Sequence, residues 1–516
     1  MTDPFVVIGG DAAGLSAASK FAREAPDRDV IVFEKGEWVS YAHCGTPYYV
    51  KGTVDRLTDL LSLSPERASE RGIDLRRNHE VVAVDTDAET VSVAHGDGTF
   101  SQPYGDLLVA TGAHARTGPI PGAELDGAFT MHGLDSAAAV RAALSERGES
   151  AVDTTIEYVD TALVEKYTDW QPPERVAVVG GGYVGVEMAE AFGAHEVETH
   201  LFQRSGQLLP PFGDAVAERV ADHLREQGVR LHLNTAVEEL VGDGDGRVAS
   251  VAHDGGATDV GLALVGIGIG PNTALVEDTP VDIGDTGAIA VDEYGATSVD
   301  GVYAAGDCAE ASHAVTGEPD WVPLGLTANR AGRAIGQTVA GDPSPVGDIA
   351  GTAVVKAFDL ECGRVGLVDQ GEASAAGFDP VSETVTAGSR SGYYPGGDDT
   401  DVTLVADQES GRVLGGALVG EDRAAIRIDT LATAIEADMT VDELERLDPA
   451  YATVQPCLGP GAGRRESPQR EAGRNAVQLR VVTRTAPPIA PSNVTPRRLP
   501  ARFCPARWQR SAPSRQ

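Results

Sequence analysis

The stretch Phe5-Val-Val-Ile-Gly-Gly-Asp-Ala-Ala-Gly14 opens with a short apolar run that leads directly into a glycine-rich turn. The small residues that follow predict a helix, and Asp29–Phe33 predicts a second strand. Glycines at such a turn let the backbone approach a pyrophosphate, whose charge lies on the N–H groups of the next helix. The carboxylate of Glu34 stands 20 residues after Gly14, where it would accept ribose hydroxyls. Asp11 replaces the middle glycine of the usual pattern.

A second strand–glycine–helix unit lies about 170 residues further along the chain. It reads Arg175-Val-Ala-Val-Val-Gly-Gly-Gly-Tyr-Val-Gly185 and carries a complete GxGxxG pattern. Two such units predict an α/β protein with two doubly wound, Rossmann-like parallel sheets. The second strand of this unit, near Val197–Phe202, ends at Gln203 and Arg204 rather than at a carboxylate. A neutral residue followed by a cation favours NADPH over NADH, and an Arg204 that merely points into solvent is the alternative.

The charge balance narrows the class of protein. The chain has 41 Lys+Arg and 78 Asp+Glu, and its net charge of −37 repels nucleic-acid phosphates, so we expect no nucleic-acid partner. An acid-rich chain with only five lysines resembles proteins from salt-loving archaea, and an ordinary acidic protein is the alternative. The longest apolar stretch is too short to span a membrane, and no charged leader precedes Phe5. We therefore expect a cytoplasmic protein without a membrane partner.

The cysteine pattern predicts one reactive thiol and no disulfide framework. The five cysteines are scattered, and no CxxC pair occurs. They are Cys44, Cys308, Cys362, Cys457 and Cys504. We expect Cys308 and Cys362 to be inert core residues, and we expect no metal site.

The remainder of the chain divides by composition. Residues 146–171 form a polar, acidic connection between the two units. Residues 350–452 predict an α+β domain, with strands at Ala353–Phe358, Thr403–Ala406 and Val413–Val419 and helices at Ala424–Glu436 and Val441–Leu447. Residues 453–516 hold 12 Arg, no Lys and 2 Glu and have no periodicity, so we expect a disordered basic tail.

Two further motifs give the chain a family resemblance. Tyr104-Gly-Asp-Leu-Leu-Val-Ala-Thr-Gly112 and Thr297-Ser-Val-Asp-Gly-Val-Tyr-Ala-Ala-Gly-Asp307, together with the two glycine turns, resemble the motifs of FAD-dependent pyridine nucleotide–disulfide oxidoreductases. The resemblance covers residues 1 to about 452. It implies a discontinuous FAD domain (1–145 and 288–345), an NAD(P) domain (172–287) and a C-terminal dimerisation domain (350–452), and hence a homodimer.

The resemblance also implies which residues contact the cofactors, FAD and NADPH or NADH. They are Gly9, Gly10, Ala13, Gly14, Glu34, Lys35, Thr111, Gly112, Gly180, Gly182, Tyr183, Gly185, Gln203, Arg204, Gly268, Gly306, Asp307, Leu324 and Thr327.

The segment Ser40-Tyr-Ala-His-Cys-Gly-Thr-Pro-Tyr-Tyr49 indicates the subgroup. Glutathione reductase-like members have two cysteines four residues apart here, whereas this chain has Cys44 alone. A lone thiol must be oxidised to a mixed disulfide or a sulfenic acid. The segment resembles that of coenzyme A-disulfide reductases, which implies that Cys44 is catalytic and that Ser40 and His43 bind substrate. His43 departs from the asparagine that is usual in that group.

The implied activity is electron transfer from NAD(P)H through FAD to Cys44, which would reduce coenzyme A disulfide. Tyr393 and Tyr451 resemble tyrosines that reach the cysteine of the partner subunit, and interface tyrosines with only a structural role are the alternative. An NADH oxidase or peroxidase, a polysulfide or CoA-persulfide reductase, and a flavin redox sensor are the alternative functions. Beyond Ala452 the resemblance stops, so we expect that a change of reading frame produced residues 453–516; a functional basic arm is the alternative.

Overall fold

Buried apolar runs form the central strands of the first sheet, because a parallel strand covered on both faces carries apolar side chains at every position. All four residues of Phe5–Ile8 and of Val30–Phe33 are buried. The structure is a computed structural model, and it describes residues 3–118, 120–148, 152–156 and 158–449.

The first part of the chain contains nine strands and five helices within those residues. They are β1 Phe5–Ile8, α1 Ala12–Glu24, β2 Val30–Phe33, α2 Thr46–Lys51, α3 Pro65–Glu70, β3 Ile73–Arg76, β4 Glu80–Asp85, β5 Thr90–His95, β6 Gly98–Pro103, β7 Asp106–Val109, β8 Ala113–Ala115, β9 Ala128–Phe129, α4 Leu134–Leu144 and α5 Thr161–Thr168.

The second glycine unit and the return to the first sheet follow. Their elements are β10 Arg175–Val179, α6 Tyr183–Ala194, β11 Glu198–Gln203, α7 Asp214–Glu226, β12 Arg230–Leu233, β13 Val237–Gly242, β14 Val248–His253, β15 Gly256–Asp259, β16 Leu262–Val265, β17 Ile269–Pro271, β18 Val302–Ala304, β19 Ala311–Ser312, β20 Pro319–Asp320 and α8 Gly325–Val339.

The C-terminal part is built on one antiparallel sheet. Its elements are β21 Ala353–Ala357, β22 Leu360–Gly366, α9 Gln370–Ala375, β23 Pro380–Gly388, β24 Asp399–Asp407, β25 Val413–Gly420, α10 Ile428–Glu436 and α11 Val441–Glu445.

Two five-stranded parallel sheets confirm the prediction of two doubly wound units. The first has the order β18-β7-β1-β2-β3, with β1 between β7 and β2. The second has the order β12-β11-β10-β16-β9, with β10 between β11 and β16. Each sheet has a three-stranded antiparallel companion, β4-β5-β6 in the first unit and β13-β14-β15 in the second. The glycine turns after β1 and β10 therefore lie at the carboxyl edges of two similar sheets, where nucleotides bind.

Two segments differ from the sequence-based boundaries. Ala128–Phe129 pairs with β16 of the second sheet, although the prediction placed residues up to 145 in the first unit. The acidic connection 146–171 contains helix α5, in which Val164 and Tyr167 are buried. Val164 and Tyr167 lie one turn apart and form the buried face of the helix. The prediction missed the helix because acidic residues surround this short apolar pattern.

The antiparallel sheet β21-β22-β25-β24-β23, covered by α10, confirms the C-terminal α+β domain. The three predicted strands are present, but β22 and β23 were missed. The predicted helix Ala424–Glu436 begins as a 3₁₀ turn, Ala425–Arg427, and becomes α-helical only at Ile428. Tyr451 and the predicted tail 453–516 lie outside the described residues. None of the helices in the described part combines the length and apolar composition needed to cross a membrane.

Candidate functional site

The first glycine turn is too tight for any side chain at its third conserved position. A Cβ atom on Gly14 would stand 1.9 Å from the carbonyl oxygen of Gly9. The second turn has the same geometry, because a Cβ atom on Gly185 would stand 1.9 Å from the carbonyl oxygen of Gly180. Both turns therefore bring strand and helix close together and expose the helix N-terminus, as a bound pyrophosphate requires.

Glu34 lies beside the first turn, as the spacing predicts. Its Oε2 accepts a hydrogen bond of 2.8 Å from the N–H of Gly10, and its Oε1 accepts one of 2.8 Å from the N–H of Gly36. Each oxygen keeps a second lone pair, so the carboxylate can still accept ribose hydroxyls. Lys35, the next residue, is exposed.

Asp307 follows β18 at the same edge of the first sheet, in a half-buried position. Burial raises the pKa of its carboxyl group, with a smaller contribution from the charge of Asp11 and an opposing one from His43. Within the described residues, no group donates a hydrogen bond to this carboxylate. A half-buried acid without a donor fits the hydroxyls of a ribityl chain, so the site suits FAD.

The other predicted FAD contacts surround this edge. Thr111, just after β7, donates a hydrogen bond of 2.7 Å from Oγ1 to the carbonyl oxygen of Asn272 and so ties the first unit to the second. Helix α8 begins after Leu324, with Thr327 in its first turn. It lies against α1, where Ser16 Oγ and Asn329 Oδ1 are 2.6 Å apart. The loop after β18 packs on the start of α1, since a Cβ atom on Gly306 would stand 3.1 Å from the Cβ of Ala13. Gly10 lies in the first glycine turn beside Glu34, and Gly112 follows Thr111.

Cys44 lies in a 3₁₀ turn, His43–Gly45, just before α2, and its side chain is exposed. The other cysteines in the described part of the chain, Cys308 and Cys362, are buried and free, as predicted. Partial burial by packed elements raises the pKa of Cys44, and the charge of Glu187 raises it further. The residues around Cys44 therefore favour the protonated thiol over the thiolate.

The segment before Cys44 is attached to the first glycine turn. The N–H of Ser40 donates a hydrogen bond of 3.0 Å to the carbonyl oxygen of Gly10. His43 Nε2 forms an ion pair with Asp11 Oδ2, and the ring of Tyr41 stacks on His43 with 4.1 Å between centroids. Ser40 and His43, the two residues predicted to bind substrate, thus both contact the first glycine turn.

Sequence reasoning missed a contact from the second unit to the thiol helix. The phenol of Tyr48, one turn after Cys44, donates a hydrogen bond of 3.1 Å to Oε1 of Glu187 in α6. Burial raises the pKa of Glu187 to about 7, and the neighbouring Glu190 adds to the shift. Glu187 lies four residues after Tyr183, so the two side chains share one face of α6. This spacing links Glu187 to a predicted nucleotide contact, but it does not reveal the contact with Tyr48.

Glu190 forms a second, buried link. Its side chain is 2% exposed, and its Oε1 accepts hydrogen bonds from Lys51 (2.6 Å) and Lys356 (3.3 Å). Its Oε2 accepts a hydrogen bond of 2.9 Å from the N–H of Phe358. Two of the five lysines in the chain therefore converge on one carboxylate, which joins α2, α6 and β21.

The second glycine turn carries an amide where the first carries a carboxylate. The N–H of Gly181 donates to Oε1 of Gln203 at 3.1 Å, as the N–H of Gly10 donates to Glu34. Gln203 Nε2 donates to Ser205 Oγ at 2.8 Å. Arg204 is exposed beside them. Gly182 and Tyr183 begin α6, and Gly268 lies in the loop between β16 and β17.

The predicted tyrosines lie apart from these turns. Tyr393 is 69% exposed in the loop between β23 and β24 of the C-terminal sheet. Its predicted role in a partner subunit stays a prediction, and Tyr451 lies outside the described residues. No group of three or more His, Cys, Asp or Glu in the described ranges has a metal-binding arrangement.

The sequence matches a known family over most of its length. The family described as pyridine nucleotide-disulphide oxidoreductase matches residues 3–331, and its dimerisation domain matches residues 352–456. Members use FAD and NAD(P)H.

Two curated proteins illustrate the range of relatives. The chain is 38% identical to an NAD(P)H coenzyme A polysulfide/persulfide reductase from Pyrococcus horikoshii, over 88% of this chain and 95% of that protein. It is 27% identical to a coenzyme A disulfide reductase from Staphylococcus haemolyticus, over 87% of this chain and 94% of that protein.

Solved structures share the fold. An NAD-dependent persulfide reductase from A. fulgidus superposes with a TM-score of 0.80 at 33% identity and covers 89% of this chain and 81% of its own. An engineered NADPH oxidase, a mutant of the water-forming NADH oxidase from Lactobacillus brevis, was solved bound to NADPH. It superposes with a TM-score of 0.78 at 25% identity and covers 88% of this chain and 95% of its own.

Proposed function

The chain belongs to the pyridine nucleotide-disulphide oxidoreductase family, and from that premise we propose that it reduces coenzyme A disulfide with NADPH through a mixed disulfide on Cys44. The observation that carries this proposal is the exposed thiol of Cys44, attached to the first glycine turn through Ser40 and His43. The other two cysteines in the described residues are buried, so an external disulfide can reach only this sulfur among them.

The site residues have separate tasks in this proposal. The first glycine turn, Glu34 and Asp307 hold FAD, and the second turn, Gln203 and Arg204 hold the nicotinamide nucleotide. Bound FAD would supply the two-electron transfer between NADPH and the disulfide sulfur. The Cys44 loop holds that sulfur at the carboxyl edge of the first sheet.

The chemistry balances in two steps. In the first, the Cys44–S–S–CoA bond receives two electrons and one proton, which yields the Cys44 thiolate and CoA thiol while NADPH becomes NADP⁺. In the second, the thiolate attacks CoA disulfide, forms a new mixed disulfide and releases a CoA thiolate, which takes up one proton. We assign that proton to the phenol of Tyr393 or of Tyr451 from a second subunit.

Three features support NADPH over NADH. Gln203 occupies the position that Glu34 has in the first unit, and it brings no carboxylate that would repel a 2′-phosphate. Arg204 is exposed next to it. The engineered NADPH oxidase carries three consecutive substitutions of aspartate to alanine, alanine to arginine and methionine to serine. Its neutral residue, arginine and serine follow the same order as Gln203, Arg204 and Ser205.

A second candidate is reduction of a CoA persulfide or polysulfide by the same thiol. The relative with 38% identity is named for that activity, whereas the CoA disulfide reductase is 27% identical. Both reactions break a sulfur–sulfur bond. They differ in the leaving group, which is CoA thiolate in one and a sulfide or shorter polysulfide in the other.

Steady-state oxidation of NADPH by the full chain separates these functions. The acceptors compared are CoA disulfide, CoA persulfide, oxygen and hydrogen peroxide. We expect CoA disulfide to give the highest kcat/KM, and Cys44→Ser to lose that activity while retaining FAD absorbance. Cys362→Ala is the matched control, since Cys362 is buried in the C-terminal domain. A preference for oxygen or peroxide, or full turnover by Cys44→Ser, would overturn the proposal.

A further inference from the structure

Two residues that depart from the expected motifs contact each other. Asp11 replaces the middle glycine of the first glycine turn, and His43 replaces the asparagine that usually precedes the cysteine. In the fold, Asp11 Oδ2 forms an ion pair with His43 Nε2, and Asp11 Oδ1 accepts a hydrogen bond of 3.2 Å from the N–H of Tyr41. These residues are about 30 positions apart in the sequence. The two departures are therefore one structural feature.

Asp11 occupies an unfavourable position for a carboxylate if an anion is to bind. It is the N-cap residue of α1, yet its side chain does not cap the helix within the described structure. The free N–H groups at that end are where a pyrophosphate would lie. An unpaired carboxylate there would repel the phosphates and would remove the close backbone approach that glycine allows.

His43 offsets that charge. Burial lowers the pKa of His43, but the hydrogen bond and charge of Asp11, together with the charge of Asp307, raise it above its usual value. The ring of Tyr41 stacks on His43, and the ring of His132 lies 6.0 Å away. The imidazole of His43 is 45% exposed, and it lies between its ion-pair partner Asp11 and the stacked ring of Tyr41, beside the first glycine turn.

We propose that the Asp11–His43 pair is a charge-compensated link that retains FAD and positions the Cys44 loop on the pyrophosphate turn. His43 neutralises Asp11, so that the turn accepts an anion despite the lost glycine. The pair is a positioning element, because it acts through the cofactor loop rather than on the reacting sulfur. The proposal rests on FAD binding, which the family supplies, and not on the electron acceptor. Its test is therefore independent of the CoA disulfide assay.

A double-mutant cycle on the purified holoenzyme tests the coupling. The variants are Asp11→Gly, His43→Asn and the double variant, which restores the residues that the motifs predict. The readouts are the rate of FAD release on dilution and the temperature at which flavin fluorescence appears on heating. His43→Asn leaves Asp11 unpaired, so we expect FAD release to accelerate roughly tenfold, as a charge at a helix N-terminus warrants.

The double variant gives the decisive outcome. With the carboxylate also removed, FAD release should return to within about twofold of the wild-type rate. His43→Arg keeps a cation and should also retain FAD. His95→Asn is the matched control and should leave FAD release unchanged, because it makes the same change at an exposed histidine that contacts Asn78 and His79 rather than Asp11. If FAD release in the double variant is as fast as in His43→Asn, or if His43→Asn releases FAD at the wild-type rate, the proposal is wrong.

Discussion

Tyr48 and Glu187 join the thiol helix α2 to the helix α6 that opens the second nucleotide unit, through a hydrogen bond of 3.1 Å from the phenol to the carboxylate. The contact brings a titratable acid close to Cys44, since the charge of Glu187 is one of the causes that raise the pKa of the thiol. With its own pKa raised to about 7, Glu187 changes its charge close to neutral pH. The reactivity of Cys44 and the stability of the fold should both depend on this acid.

Replacing the acid should make the thiol more reactive. In Glu187→Gln the negative charge is gone, so the pKa of Cys44 falls and more thiolate is present at a given pH above 7. The rate of Cys44 alkylation by iodoacetamide, followed by peptide mass spectrometry from pH 6 to 9, measures this. We expect a rise of about threefold or more at pH 8.

Glu70→Gln is the control for that experiment, because Glu70 is an exposed acid on α3. It should leave the alkylation profile unchanged. Identical profiles for Glu187→Gln and the wild type would show that the charge of Glu187 does not reach the sulfur.

Glu187→Gln should also change how the free energy of unfolding depends on pH. The folded pKa of Glu187 lies above the usual value of a glutamate, so the folded state loses stability as the pH rises from about 4.5 to about 7. Glutamine carries no charge at any pH. Thermal unfolding should therefore show Glu187→Gln gaining stability relative to wild type at pH 8 compared with pH 5. An equal difference in melting temperature at both pH values would contradict the buried, raised pKa.

Removing the buried ion pairs of Glu190 should destabilise the fold more than removing an ion pair at the surface. Glu190→Gln leaves Lys51 and Lys356 without a carboxylate, and both lysines are partly exposed, so we expect a loss of about 2 kcal/mol in the free energy of unfolding. Glu24→Gln breaks the Lys20–Glu24 pair at the surface, which water and salt screen, and should lower the free energy of unfolding much less. Chemical denaturation at one fixed salt concentration compares the two. Equal losses would mean that Glu190 does not hold the three domains together.

The nucleotide preference can be tested at the end of β11. Arg204→Ala should raise the KM for NADPH about tenfold and leave the KM for NADH nearly unchanged, because only the 2′-phosphate needs the cation. Gln203→Glu should weaken NADPH binding in the same direction. Similar changes in KM for both nucleotides would show that Arg204 does not contact the 2′-phosphate.

Most of the fold could be predicted from local sequence patterns. The elements that were missed are those whose structure depends on tertiary contacts. The strand–glycine–helix units were visible because Gly14 and Gly185 meet a steric demand that no other residue satisfies. By contrast, β22 and β23 contain glycine, charged and polar residues, and only pairing within the C-terminal sheet makes them strands.

The site shows the same division. Cys44, Glu34 and Asp307 were predicted as site residues because each belongs to a short motif. The partners Tyr48–Glu187 and Asp11–His43 were not predicted as pairs, since each joins residues from separate segments that the fold brings together. A single sequence shows that Asp11 and His43 depart from their motifs, but not that they compensate each other.

The most direct measurement of the central claim is the mass of the Cys44 peptide after the full chain is treated with CoA disulfide in the absence of nicotinamide nucleotide. We predict one CoA attached through a disulfide at Cys44, with the adduct removed when NADPH is then added. An unmodified Cys44 peptide, an adduct on another cysteine, or an adduct that persists in NADPH would contradict the account.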